Sequence, residues 1–224
     1  MWFARSASLM MVLAAVVSPL KADVARDATT CSDEKASLER VIDSCTGVID
    51  SAEVQPAIKY AAYVRRAGAL FEHKGELERA IADLGEALKL KPDDAGTFVM
   101  RGTLYLANNE FEKAIADFSE ALKIAPDNVD ALGSRANAYV QSGEGDKAIA
   151  DYNEVVRLKP TDASAFYDRG GAYEKREDFD KARADYEQAI RLQRDYAGEF
   201  PDTCFGMNDK GEPGLKNWPG CEEN

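Results

Sequence analysis

The sequence predicts an all-α solenoid, a line of stacked helix hairpins. Three observations carry that reading. A pattern recurs every 34 residues through Ala61–Asp94, Ala95–Asn128, Val129–Asp162 and Ala163–Tyr196. Within it, small residues alternate with large ones at set positions. Position 8 reads Gly68, Gly102, Ala136, Gly170, and position 20 reads Ala80, Ala114, Ala148, Ala182. Position 11 reads Phe71, Tyr105, Tyr139, Tyr173, and position 24 reads Leu84, Phe118, Tyr152, Tyr186. Finally, Pro92, Pro126 and Pro160 punctuate the first three units, where a residue without a donor stops a helix. A supersecondary unit repeated at this period stacks on its neighbours, because none buries its apolar face alone.

The elements follow in order. Arg5 precedes the apolar run Ala7–Val17, Ser18-Pro19 breaks it, and Ala22 offers a small residue before Asp23. This is the order of a secretion signal, so residues 1–22 are expected to be removed. The alternative is an uncleaved anchor. A spanning helix needs about 20 apolar residues, and Pro19 and Lys21 interrupt too early. The expected location is periplasmic or secreted, without stable membrane insertion.

Residues 23–60 form an N-terminal cap and a lead-in helix. Asp23–Cys31 reads as flexible. From about Ser37 to Asp50 the chain reads as the second helix of a repeat lacking its first: Glu39-Arg40-Val41-Ile42-Asp43 aligns with Glu78-Arg79-Ala80-Ile81-Ala82. Such a half-repeat covers the open end of a stack. Pro56 suits a helix start.

Four cysteines in an exported chain point to disulfides. Cys31 and Cys45 precede the repeats, Cys204 and Cys221 follow them, and local pairing is the simplest connectivity. One helix from Ser32 through Cys45 would hold the first pair about 21 Å apart at 1.5 Å per residue. Bridging needs Cα atoms within about 7 Å, so either Cys31 folds back before a helix starting near Ser37 or the bridge is absent.

Residues 61–196 are the four repeats. Gly75, Asn108-Asn109, Ser142-Gly143 and Arg176-Glu177 mark the turns inside them. Gly145 stands where Leu77, Phe111 and Phe179 pack, so the third turn is expected to be the loosest. Beyond Gln193 the helical period stops, and residues 197–224 read as an irregular tail with Cys204, Trp218 and Cys221.

The net charge of −12 excludes a phosphate-backbone ligand, which needs clustered Lys and Arg. No nucleic-acid partner is expected, and anionic membrane surfaces are excluded likewise. There is one histidine, His73, with no second to complete a metal pair, and it reads as solvated or helix-capping. No phosphate loop, nucleophile elbow or zinc-protease motif is present. The chain reads as a non-enzyme without cofactor or metal.

One charge pattern is regular. Position 23 is Asp83, Asp117, Asp151 and Asp185; position 7 is Ala67, then Arg101, Arg135 and Arg169. Because the first repeat lacks the Arg, the pattern suggests an inter-repeat ladder, Asp83–Arg101, Asp117–Arg135 and Asp151–Arg169. The rival is pairing within each repeat.

The 34-residue small-large code resembles the tetratricopeptide repeat. The resemblance implies a right-handed superhelical solenoid of four such units with the N-terminal half-repeat cap. It also implies a groove lined by the first helix of each unit. Here that is Arg65, Arg66 and His73; Val99, Met100, Thr103 and Leu106; Ser134, Asn137 and Gln141; Tyr167, Asp168 and Glu174. The groove is expected to run from a basic end through an apolar middle to an acidic end. Repeats that clamp the acidic tails of heat-shock chaperones carry basic and Asn residues at positions 5, 9 and 6. This chain has Arg65 but Ala69 and Met100, so that use is rejected. The expected partner is a protein or peptide. The alternatives are self-association in the cell envelope and an enzyme acting on envelope glycan.

Overall fold

Apolar residues spaced three and four apart set the helices, and side-chain caps from Ser37, Asp94, Asn128 and Asp162 precede some of them. The computed structural model describes residues 22–73, 76–193, 205–207 and 213–215. The secretion signal, Trp218 and the Cys204–Cys221 pair lie outside the described residues. The chain divides into two compact units, at Pro92/Asp93.

The first unit holds α1 (Ala22–Ser32), α2 (Leu38–Asp50), α3 (Pro56–Glu72) and α4 (Leu77–Leu90). Pro56 opens α3, and Ser37 caps α2 by accepting from the Arg40 N–H. The expectation of a flexible Asp23–Cys31 is corrected: this segment is α1. Val24, Ala28 and Cys31, spaced i, i+4, i+7, give it one apolar face, packed with Val41, Cys45 and Val48. The half-repeat is therefore a complete hairpin. Cys45 stands where a large residue stands in later repeats, and it meets Cys31 in a disulfide with Cα atoms 4.8 Å apart. The turn Asp33–Ser37 brings Cys31 back, as the geometric condition requires.

The second unit holds α5 (Ala95–Ala107), α6 (Phe111–Ile124), α7 (Val129–Gln141), α8 (Gly145–Leu158), α9 (Ala163–Lys175) and α10 (Phe179–Leu192). Asp94, Asn128 and Asp162 cap α5, α7 and α9 by accepting backbone N–H groups of the first turn. Phe118, Tyr152 and Tyr186 are buried against Gly102, Ala136 and Gly170. A Cβ on Gly102 would come within 2.8 Å of Phe118, and one on Gly170 within 2.8 Å of Tyr186. Ala114, Ala121, Ala148, Ala182 and Ala189 are fully buried between the helices.

The hairpin turns share one design. Asn109, Gly143 and Glu177 sit at the same turn position with φ of 58°, 82° and 60°. The N–H of the residue just before each second helix returns to the carbonyl of the position-11 tyrosine: Glu110 to Tyr105, Glu144 to Tyr139, Asp178 to Tyr173. The third turn keeps this geometry, with the Gly143 N–H 3.4 Å from the Val140 carbonyl where the equivalent bonds of the second and fourth are 3.0 and 2.8 Å. Arg176 of the next hairpin lays its aliphatic stem over Gly145 and pairs with Asp146, filling the place of the missing side chain.

The tail is not wholly irregular. Strands β1 (Phe205–Met207) and β2 (Pro213–Leu215) pair antiparallel, with Phe205 opposite Leu215, and β2 lies against α10.

Candidate functional site on the first helices of the repeats

The ladder of position-7 arginines decides which charges remain for a ligand. It runs within repeats, not between them. Arg101 donates through Nε and Nη2 to both Asp117 oxygens at 2.7 Å, and Arg169 does the same to Asp185. Arg135 holds Asp151 at 2.7 and 2.8 Å. The inter-repeat pairs Asp83–Arg101, Asp117–Arg135 and Asp151–Arg169 are thus corrected. What crosses between repeats is the third guanidinium nitrogen: Arg135 to Ser119 and Arg169 to Asn153.

The first repeat explains the error. Its Asp83 is held by Arg66, through Nε and Nη2 at 2.7 Å each, while Nη1 reaches Thr46 of α2. Arg66 lies one position earlier than its counterparts because the first turn is one residue longer. The Glu76 N–H returns to Leu70, six residues back, where the other turns return five. Leu70, not Phe71, is therefore the counterpart of Tyr105, and Ala67 that of Gly102. All four guanidiniums are pushed above their ordinary pKa, chiefly by the hydrogen bond to the aspartate, against desolvation. These bidentate pairs lock each hairpin.

The expected basic end of the groove is thereby changed. Arg66 is spent on Asp83 and Thr46. Arg65 donates to the Asp33 carbonyl at 3.4 Å. His73 is the C-cap of α3, half-buried rather than solvated, with Nε2 3.5 Å from Glu39.

In the second unit the expected residues separate into two kinds. Val99 is 8% exposed and packs with Phe118 and Ala131, so it belongs to the core and is corrected as a groove residue. Leu106 is half-buried against that same core. Met100 keeps part of its surface, as do Ser134 and Tyr167, while Thr103, Asn137, Gln141 and Asp168 are exposed. The Thr103 hydroxyl is returned to the Val99 carbonyl.

Two residues that sequence reasoning assigned only to packing also reach this face. The buried Tyr152 of α8 donates its hydroxyl to Asn137 Oδ1 of α7 at 2.6 Å. Tyr186 of α10 donates to Glu174 Oε2 of α9 at 2.6 Å, and its ring lies 5.3 Å from that of Tyr167. The signal was present in the sequence. Position 24 changes from Leu84 and Phe118 to Tyr152 and Tyr186, and a buried phenol needs a polar partner. Asp168 is exposed on α9. Desolvation first, then the charge of Asp162, holds its carboxyl above the ordinary range.

Comparison with known proteins agrees with this architecture. Tetratricopeptide repeat models match residues 60–94, 99–163 and 135–198, together more than half of the chain. The first match begins at residue 60, consistent with the longer first repeat. No curated protein sequence matches. Among solved structures, a MamA fragment from Desulfovibrio magneticus RS-1 is 18% identical, with a TM-score of 0.69 over 79% of this chain and 98% of its own. Another MamA crystal structure is 21% identical, with a TM-score of 0.65 over 72% and 91%. YrrB, described as a TPR protein with an unusual peptide-binding site, is 21% identical, with a TM-score of 0.63 over 73% and 84%. At these identities the likeness is one of fold. On the repeat matches and the hairpins that fit them, the chain belongs to the tetratricopeptide repeat family.

Proposed function

We propose that the protein is an exported scaffold that captures a polypeptide segment on the first helices of its repeats. One observation carries the binding face. In the second unit the position-7 arginines are consumed within the hairpins, while Met100, Asn137, Gln141, Tyr167 and Asp168 keep surface along α5, α7 and α9. These side chains stand on helices held by bidentate pairs, so little ordering is needed in the receptor when a segment binds. The fold shared with a protein described by its peptide-binding site supports the same use. Binding rather than catalysis is the reading, since the polar groups here serve caps, pairs and an exposed face.

Export rests on Arg5, the apolar Ala7–Val17 and Ala22. The Cys31–Cys45 bond in α1 and α2 is consistent with an oxidising compartment. None of the helices among the described residues is long and apolar enough to cross a membrane.

Met100→Glu tests the face. It puts a charge among apolar surface and should weaken a partner by about 1–3 kcal/mol, with folding changed by no more than about 0.5 kcal/mol. Lys123→Glu on the outer face, where Lys123 meets Glu120, is the control. Titration calorimetry reads the difference, and equal affinity for wild type and Met100→Glu places the site elsewhere.

A further inference from the structure

The helix α7 carries a strip that its own hairpin leaves unused. Gly133, Asn137 and Gln141 follow one another at four-residue spacing, so they share one face of the helix. A Cβ on Gly133 would meet nothing within 4 Å. Asn137 and Gln141 are exposed, and neither amide nitrogen has a partner among the described residues. Three other asparagines are taken up by the fold: Asn108 gives its amide to Glu110, Asn128 caps α7, and Asn153 accepts from Arg169.

The Asn137 amide is also held in one orientation. Tyr152 is 2% exposed, and the acceptor its hydroxyl proton finds among the described residues is Asn137 Oδ1, at 2.6 Å. A buried phenol needs that partner. The carbonyl arm of the amide is thereby turned to α8, and both N–H bonds of the other arm stay unspent.

Charge decides what such donors accept. The cations of α5, α7 and α9 are Arg101, Arg135 and Arg169, each held by an aspartate, and Lys175 in the last turn of α9. Asp130 and Asp168 are exposed on these helices. Donors on an acidic surface disfavour phosphates and carboxylates and select a neutral carbonyl. Spacing decides what carries the carbonyl. Four residues of α-helix advance about 6 Å. Alternate carbonyls of an extended chain face the same way and recur at about 6.6 Å.

We propose that the strip Gly133–Asn137–Gln141 holds the main chain of the bound segment. An extended polypeptide lies along α7, close over Gly133. One of its carbonyls accepts from Asn137 Nδ2, and the carbonyl two residues on accepts from Gln141 Nε2. Tyr152 is the positioning residue. The proposal rests on the peptide-binding reading above and adds that α7 selects a backbone conformation, not a side chain.

For the test, a displayed library of random dodecapeptides is selected against the full chain. One enriched peptide is resynthesised with each backbone amide in turn replaced by an ester, whose carbonyl is a poorer acceptor. Titration calorimetry compares wild type with Asn137→Asp, Gln141→Leu, Tyr152→Phe and Met100→Glu. Asn137→Asp keeps the acceptor for Tyr152 and removes the N–H donors. Its thermal melt should match wild type while affinity falls about tenfold. One ester should weaken wild type about fivefold and leave Asn137→Asp unaffected. The ester two residues on should behave in the same way toward Gln141→Leu. In Tyr152→Phe the first ester's penalty should shrink, which a loss of packing alone does not produce. Gln141 is exposed, so its cycle stands even where Asn137→Asp melts early.

A peptide weakened by Met100→Glu, yet indifferent to Asn137→Asp, to Gln141→Leu and to every ester, leaves the peptide-binding face standing and removes the backbone clamp. Ester penalties of equal size in wild type and in both amide variants show that other groups hold the main chain, which also overturns it. No enrichment against the wild type removes the proposal and the peptide-binding reading together.

Discussion

Pairing within repeats can be separated from pairing between them by a pair of double-mutant cycles centred on Arg135. The first cycle joins Arg135→Met with Asp151→Ala, its partner in the same hairpin. The second joins Arg135→Met with Asp117→Ala, the partner that an inter-repeat ladder requires. The Arg135–Asp151 side chains are 21% and 10% exposed. Two charged hydrogen bonds at 2.7 and 2.8 Å join them. A hydrogen bond to a charged group contributes about 1.5–3 kcal/mol. Removing one member leaves the other desolvated and unpaired, so each single change should cost about 2–4 kcal/mol. In the double mutant the second loss is largely already incurred, giving a coupling of about 1.5–3 kcal/mol. Arg135 and Asp117 share no bond, so their losses should add within about 0.5 kcal/mol. Urea unfolding followed by circular dichroism provides the energies. The slopes must agree among variants, because repeat arrays can lose two-state behaviour. Coupling for Asp117–Arg135 as large as for Asp151–Arg135 would refute the assignment and restore the inter-repeat ladder.

Other outcomes follow from the same geometry. Gly102→Val should destabilise by about 1–3 kcal/mol through overpacking against Phe118, read as a lower urea midpoint at unchanged slope; no loss would mean that α5 and α6 can separate freely. Thiol titration of the unfolded, unreduced protein should find no free cysteine, and peptide mapping should recover Cys31 linked to Cys45 and Cys204 to Cys221. Free thiols or a Cys31–Cys221 peptide would contradict local pairing. Protein from its native host should begin near Asp23 by intact-mass measurement, and retention of Met1 would sink the export reading.

The register of α3 differs from that of the later first helices by a single residue. The repeat alignment runs through the second helices, where Ala80, Leu84 and Ala87 match their counterparts. Carried back across a turn one residue longer, it set Ala67 in the place of an arginine and Arg66 in the groove. Counting from the turn instead places Leu70 with Tyr105 and Arg66 with Arg101. The helix α1 was passed over because its polar residues outweigh its narrow stripe of Val24, Ala28 and Cys31. Met100, Asn137 and Asp168 were legible as surface residues of first helices. Tyr152 and Tyr186 were legible only as packing residues, because a phenol's ring and hydroxyl answer to different surroundings.

The sequence by itself determined the all-α hairpin architecture, its period, and the residues that allow close helix approach. Those properties are local and repeated: capping, punctuation and small-large packing act over one or two turns of helix, so each copy restates them. Only the tertiary structure decided which Asp each arginine meets, that Val99 is core, and that two tyrosine hydroxyls bond to Asn137 and Glu174. These depend on distances between helices many residues apart. A change of one residue in a turn rotates a whole helix face, and sequence spacing alone does not record that rotation.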